Sequence, residues 1–146
     1  MINEDQKYTG IIHAVLFDEN MNVKEDVTVN NLVTTAGKNF FASRGIGNTT
    51  NVVSYMAVGS GTTAPSVGDT ALVTETSRVA LTNATSSGNV ITYTATFSPG
   101  QGTGSINECG LFNASSAGTM VARSTSVVVT KGANDTLAIT WTITNN

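Results

Sequence analysis

Charged residues are scarce in this 146-residue sequence: they make up 12% of it, and the net charge is −3. The seven lysines and arginines are scattered along the chain, and without a basic cluster we expect no nucleic-acid binding. No apolar run approaches the roughly 20 residues of a membrane-spanning helix, so we expect no membrane span. The first ten residues are polar and acidic, which is not the pattern of a secretory signal.

The sequence also has a single cysteine, Cys109, and a single histidine, His13. One cysteine cannot form an internal disulfide, which is consistent with synthesis in a reducing cytoplasm. A zinc site normally needs three or four Cys or His ligands, so neither residue predicts one. We interpret His13 as a histidine satisfied in the core or at an interface, and Cys109 as a small buried apolar residue.

Threonine is what the sequence has in excess, with 24 residues, and hydrophobic residues make up 40% of the chain. Threonine is β-branched and polar, so it suits the solvent-facing side of a sheet and supplies an uncharged polar surface. The apolar content is enough for one hydrophobic core at this chain length. We expect a single domain over residues 1–146, with residues 1–7 as a candidate N-terminal arm.

Alternation of apolar and polar residues, the pattern typical of β-strands, dominates the chain. The most regular example places Leu137, Ile139, Trp141 and Ile143 on one face of a strand. The first predicted strand is mostly apolar, so we expect it to be buried on much of both faces and to form a hairpin with the second. The predicted strands span residues 7–17, 22–30, 54–58, 76–82, 90–97, 106–113, 119–129 and 136–144.

Residues 32–44 break this alternation and predict the one helix. A threonine hydroxyl, from Thr34 or Thr35, is suited to cap its first turn, and the glycines after Arg44 are suited to end it. Ala36 and Phe40, with Phe41 as a further candidate, would then face the core. Strands separated by turn signals, without β–α–β alternation, predict a mainly β fold. We expect an antiparallel, jelly-roll-like β-sandwich of about eight strands, with a short helix near residues 34–44.

Two stretches resemble ligand-binding loops but lack the required residues. The glycine-rich stretch MAVGSGTTAPSVGD, residues 56–69, has no lysine after its glycines and no long helix behind it, so it does not predict a phosphate site. Asp18, Asn20 and Asn22 begin like a calcium loop, but Val23 and Val29 occupy the positions that need glycine and a bidentate carboxylate. We interpret both stretches as turns.

Glu108 is the acidic residue that is hardest to place, because it lies within the apolar segment INECGLFN. A lone buried charge is costly, so Glu108 needs a partner. A hairpin turn near residues 114–118 would bring Arg123 close to it, and we predict a structural Glu108–Arg123 ion pair. Glu75 and Arg78 offer another pairing. We find no arrangement that predicts catalytic, cofactor-binding or metal-binding residues, and we expect no enzyme activity.

Residues 31–144 resemble the small virion proteins of tailed bacteriophages. The resemblance is carried by YMAVGSGTTAPSVGDTAL, by ETSRVALTN, by VITYTATFSPGQGTGSINECGLFNASSAGTMVARS and by VTKGANDTLAITWTIT. It implies a structural protein of the capsid, tail or fibre, without catalytic residues. It also implies a virion location after assembly in the host bacterial cytoplasm, which fits the absence of a recognisable secretory signal.

Within this resemblance our main expectation is a capsid cement or decoration protein. Such a protein would bridge neighbouring subunits of the major capsid protein, and contact other virion proteins, through many non-covalent contacts. We also expect a homo-oligomer. One alternative is a component of the tail, a fibre or the baseplate. A second alternative is a carbohydrate-binding module, which would need a solvent-facing row that includes two of Tyr55, Tyr93 and Trp141.

Overall fold

The structure is a computed structural model that describes residues 7–48 and 50–146. Within these ranges the chain forms one helix and eleven strands. The predicted N-terminal arm, apart from Lys7, lies outside the described residues. In chain order the elements are β1 (Tyr8–Phe17), β2 (Val23–Val33), α1 (Thr35–Arg44), β3 (Tyr55–Gly59), β4 (Glu75–Ala80), β5 (Asn83–Ser87), β6 (Val90–Phe97), β7 (Gly104–Ile106), β8 (Glu108–Phe112), β9 (Met120–Ser124), β10 (Val129–Lys131) and β11 (Thr136–Asn145).

Nine of these strands form one curled antiparallel sheet, which confirms the predicted mainly β, sandwich-like fold. The order of its strands is β4-β3-β8-β9-β2-β1-β11-β6-β5, and β7 pairs with β10 in a separate two-stranded sheet. The inner face of the curled sheet carries the main hydrophobic core. Ile12, Phe97 and Trp141 are fully buried there, as the alternating pattern predicts.

The two edge strands of the sheet, β4 and β5, follow one another directly in the chain. β4 ends at Ala80 and β5 begins at Asn83, with two residues between them. The Leu81 amide still donates to the Ser54 carbonyl beside β3, whereas the Thr82 amide donates to the Thr94 carbonyl of β6. The chain therefore passes directly from the first strand in the order to the last. This short connection holds the sheet in its curled form.

The predicted hairpin of the first two strands is confirmed, because β1 and β2 are antiparallel partners. The expectation that β1 is buried on both faces is wrong. Ile12, Ala14 and Leu16 are buried, but Ile11 and His13 face solvent. β1 lies between β2 and β11 in the sheet, so its backbone is satisfied on both edges while one of its faces remains open.

Helix α1 occupies the predicted position and is capped by the first of the two candidate threonines. The Thr34 hydroxyl oxygen accepts a hydrogen bond from the Gly37 amide at 2.9 Å. The same hydroxyl donates to the Met120 carbonyl of β9 at 2.8 Å, which ties the start of the helix to the sheet. Phe40 is buried against the core, whereas Ala36 is only half-buried.

Three short strands, β5, β7 and β10, differ from the predicted pattern. β5 and most of β7 lie outside the predicted strands, and β10 begins where one long strand was predicted to end. β5 is polar and fully exposed, and β7 is only three residues long, so neither shows an alternating pattern. The predicted strand at residues 119–129 is divided into β9 and the start of β10, because the chain leaves the sheet after Ser124. Strands made by backbone pairing alone leave no hydrophobic signal in the sequence.

The contact between α1 and β9 leads to a first prediction. A Cβ atom at Gly37 would lie 2.1 Å from the Val121 carbonyl oxygen, so Gly37→Ala must push the helix off the strand. Such overpacking costs about 1–3 kcal/mol, more than the roughly 1 kcal/mol that alanine gains over glycine in a helix. We expect a lower urea midpoint. Gly68→Ala is the control, because a Cβ there meets open space, and equal losses for both variants would contradict the prediction.

Candidate functional site

The structure brings Glu108 and Arg123 together at the start of β8 and near the end of β9. Arg123 Nη2 lies 2.9 Å from Glu108 Oε2, and Arg123 Nε lies 3.3 Å from the same oxygen. Both side chains are almost completely buried, with exposed fractions of 1% for Arg123 and 0% for Glu108. Their strands are hydrogen-bonded neighbours, so the register of the β8–β9 hairpin sets this contact.

The Glu108 carboxylate also binds the loop between β3 and β4, residues 60–74. Its Oε1 atom accepts hydrogen bonds from the Gly61 amide at 3.1 Å and from the Thr74 amide at 2.7 Å. Its Oε2 atom accepts one from the Val73 amide at 3.0 Å. The carboxylate therefore holds both ends of this loop, and its charge is stabilised by three backbone amides as well as by Arg123.

Arg123 extends the network into the middle of the same loop. Its Nη1 atom donates to Asp69 Oδ2 at 3.0 Å, and its Nη2 atom donates to the Thr63 carbonyl at 2.9 Å. Asp69 in turn accepts a hydrogen bond from the Ser66 amide at 2.8 Å. Asp69 was not among the residues predicted to join this network. Its position one residue after Gly68, in a turn, was the available signal.

The glycines of the MAVGSG stretch make room for this carboxylate. A Cβ atom at either Gly59 or Gly61 would lie 2.6 Å from Glu108 Oε1, and the one at Gly59 would lie 2.2 Å from the Thr74 carbonyl oxygen. Only a residue without a side chain allows the loop to approach so closely. The stretch thus surrounds a carboxylate of the protein itself and not a phosphate.

The electrostatics of Glu108 follow from two opposing effects. Burial raises the pKa of its carboxyl group, because it disfavours the charged form. Hydrogen bonds from the Thr74 and Val73 amides, from Arg123 and from the Gly61 amide favour the charged form, and together they bring the pKa below its usual value. Glu108 is therefore an ionised structural group and is not suited to act as a general acid or base at neutral pH.

A second ionic group, which the sequence analysis did not single out, lies around the turn before β11. Asp135 is buried and accepts hydrogen bonds from Lys24 Nζ at 2.7 Å and from the Gly132 amide at 2.7 Å. The Lys131 side chain is also buried, and its Nζ atom donates to the Ser98 carbonyl at 3.0 Å. Burial lowers the pKa of Lys131. These contacts connect the turn to β2 and to the end of β6.

The alternative pairing of Glu75 with Arg78 is also present, at 2.7 Å between Oε1 and Nη2. Arg78 Nη1 donates further to the Ala114 and Ala117 carbonyls in the turn between β8 and β9. The Arg78 guanidinium carbon lies 3.7 Å from the centre of the Phe112 ring, a cation–π contact. This residue joins β4 to the β8–β9 turn.

Cys109 and His13 occupy different environments. Cys109 is fully buried in β8, and burial raises the pKa of its thiol, which keeps it protonated and unreactive. His13 does not lie in the core, which was one of the two environments predicted for it; the other, an interface, stays a prediction. Its side chain is 49% exposed, and its Nε2 atom lies 2.7 Å from Asp26 Oδ1 across the β1–β2 pair. The strand alternation places His13 on the outer face of the sheet.

Residues 18–22, which begin like a calcium loop, form the turn between β1 and β2. Asp18 Oδ1 accepts hydrogen bonds from the Asn20 and Asn22 amides, at 2.8 and 2.9 Å, so this carboxylate caps its own turn.

In the described ranges, no group of three or more His, Cys, Asp or Glu side chains is placed to hold a metal ion. Across the same residues, no helix is long and apolar enough to cross a membrane.

The aromatic residues considered for sugar binding do not form an exposed row. Trp141 is fully buried and Tyr93 is 5% exposed, and burial raises the pKa of Tyr93 to about 12. Tyr55 is half-buried against a small second core cluster.

An open groove of about 580 Å³ lies between helix α1 and the β5–β6 hairpin, and its lining includes Phe40 and Ile91. Its surface is mainly apolar.

The buried charges described above bind one another and the backbone, so these contacts stabilise the fold. Residues 27–144, most of the chain, match the family described as phage tail-collar fibre protein, N-terminal. The chain therefore belongs to this family, and it is a structural protein of the phage virion. No curated protein and no solved structure gives a match to the chain.

The buried ion pair leads to a second prediction. Arg123→Ala leaves the Glu108 carboxylate buried beside a cavity, and removing one partner of a buried ion pair costs about 3–5 kcal/mol. We expect urea unfolding to show a loss of this size. Lys38→Ala removes an exposed cation and serves as the control, with an expected change within about 0.5 kcal/mol. Similar losses in the two variants would show that the network does not stabilise the fold.

The lowered pKa of Glu108 leads to a third prediction. Because the unfolded chain binds this proton more readily, the stabilisation is complete above the ordinary carboxyl pKa of 4.5 and decreases as the pH falls below it. We expect the free energy of unfolding to fall with acidification from about pH 5. Glu108→Gln should weaken this dependence without abolishing it, because hydrogen bonds also lower the carboxyl pKa values of Asp135 and Asp18. Glu75→Gln should retain the full dependence. A wild-type stability that is constant down to pH 3 would contradict the prediction.

Proposed function

We propose that this protein is a component of the phage tail fibre or tail collar, where it assembles with neighbouring tail proteins through non-covalent contacts. The observation that carries the proposal is the family match over residues 27–144. It favours the tail or fibre alternative over our main expectation of a capsid cement protein. Tail proteins, and not the major capsid protein, are then the expected partners.

The physical role is that of a rigid and chemically inert unit. Glu108 accepts five hydrogen bonds, three from loop amides and two from Arg123, so its binding capacity is used inside the fold. Cys109 is buried as a thiol, and His13 is paired with Asp26. A protein of this kind contributes to a virion through shape and surface complementarity, without catalysis, after assembly in the host cytoplasm.

A carbohydrate-binding module is less well supported. Sugar platforms use exposed aromatic rings, whereas two of the three candidate residues, Tyr93 and Trp141, lie in the core. The groove beside β5 does contain a stacked pair, Tyr8 and Phe41, with ring centres 5.5 Å apart. Both rings are packed against the hydrophobic core, so their geometry is explained by packing within the chain.

A phage that carries a nonsense mutation in this gene tests the proposal. We expect particles from a non-suppressing host to have filled, normally stable heads but to lack fibres or collar structures, and to adsorb poorly to cells. Growth in a suppressing host should restore both properties and is the control. Electron microscopy, an adsorption assay and heat or osmotic shock provide the measurements. Fragile heads with normal adsorption would support the capsid cement function and overturn the tail assignment.

A further inference from the structure

The two end strands of the main sheet differ in how their unpaired edges are protected. β4 carries the charges of Glu75 and Arg78, and its pairing with β3 is irregular between Val58 and Gly59. Charges and bulges of this kind discourage edge-to-edge association of sheets. β5 has none of these features: it pairs with β6 in regular register and contains no charged residue and no proline.

All five residues of β5 are exposed, from Asn83 to Ser87. The Ala84 amide donates to the side-chain oxygen of its neighbour Asn83 at 3.0 Å. The other backbone groups that face away from β6 are available to another strand. The surface beside this edge is partly apolar, since the groove next to β5 is lined by Val52, which is 62% exposed, and by Phe41 and Ile91. An unprotected edge beside an apolar groove is typical of a site where a sheet is extended by a further strand.

The charge pattern indicates which strand fits this edge. No charged residue occurs between Val79 and Asn107, a segment that contains all of β5 and β6. Two copies of the protein have a net charge of −3 each, but their β5–β6 hairpins can approach without like charges meeting. A strand with acidic or basic side chains would find no counterion within β5 itself. Arg44 lines the adjacent groove, but its guanidinium already donates to the Asn48 and Thr50 carbonyls. A second β5 is neutral throughout.

We propose that β5 is a self-association site, at which the β5 strands of two copies pair antiparallel about a two-fold axis and join their sheets. The register centred on Thr85 pairs the strand over its full length, with Asn83 opposite Ser87, Ala84 opposite Ser86, and Thr85 opposite its own copy. Two-fold pairing uses the same surface on both copies, and Thr–Thr pairs across strands are favourable. The contact also covers apolar side chains that flank the edge.

Cysteine cross-linking tests the proposed register directly. Thr85→Cys places two thiols opposite each other, with Cβ atoms about 4.5–5.5 Å apart, and mild oxidation should give a covalent dimer on a non-reducing gel. Thr96→Cys is the matched control, because Thr96 is an exposed threonine of β6, inside the sheet. The native Cys109 is buried and should not cross-link in either variant. Equal cross-linking of the two variants would overturn the proposal.

The oligomeric state of the purified protein provides an independent measurement. We expect light scattering to show a wild-type dimer, and Thr85→Lys to convert it to a monomer by placing two ammonium groups opposite each other. Thr96→Lys adds the same charge away from the edge and should remain dimeric. A monomeric wild type would mean that the edge serves another polypeptide or none, and an oligomer that survives Thr85→Lys would mean association through another surface. Either result would refute β5 self-association.

Discussion

The buried carboxylate of Glu108 is the group on which the rest of this structure depends. It connects the β8–β9 hairpin to both ends of the loop between β3 and β4, through Arg123 on one side and three loop amides on the other. In many proteins a buried ion pair can be replaced by apolar residues at little cost. Here an apolar replacement would leave the amides of Gly61, Val73 and Thr74 without an acceptor, so the charge has a structural use that a hydrocarbon cannot supply.

The binding of the Glu108 carboxylate by the chain itself explains why the glycine-rich stretch at residues 56–69 resembles a phosphate-binding loop. Gly59 and Gly61 are required because Glu108 occupies the space of a side chain at both positions. A phosphate-binding loop uses glycine for the same physical reason, the close approach of backbone amides to an anion. The difference is that the anion here belongs to the chain and is satisfied internally, which is what a structural protein of the virion requires.

The remaining surface has little charge, and its properties follow from threonine. The outer face of the sheet is lined by polar, uncharged side chains on strands such as β6 and β11, where Thr92, Thr94, Thr140 and Thr142 are half-buried beside one another. Such a surface is soluble without strong electrostatic repulsion between copies. Whether an edge strand is protected from pairing with another sheet then depends on its individual residues. β4 carries the charged side chains of Glu75 and Arg78, whereas β5 carries no charge.

The sequence by itself determined the mainly β class, the larger strands, the position of helix α1 and its threonine cap, because alternation and capping are local signals. The pairing of Glu108 with Arg123 was also accessible, since both lie in one hairpin. Tertiary structure decided the rest. Asp69 and the loop amides lie 34 to 54 positions away in the sequence from the residues that they bind, and β5 became a strand only through pairing with β6. Such contacts are set by the curling of the sheet, which leaves no periodic signal in the sequence.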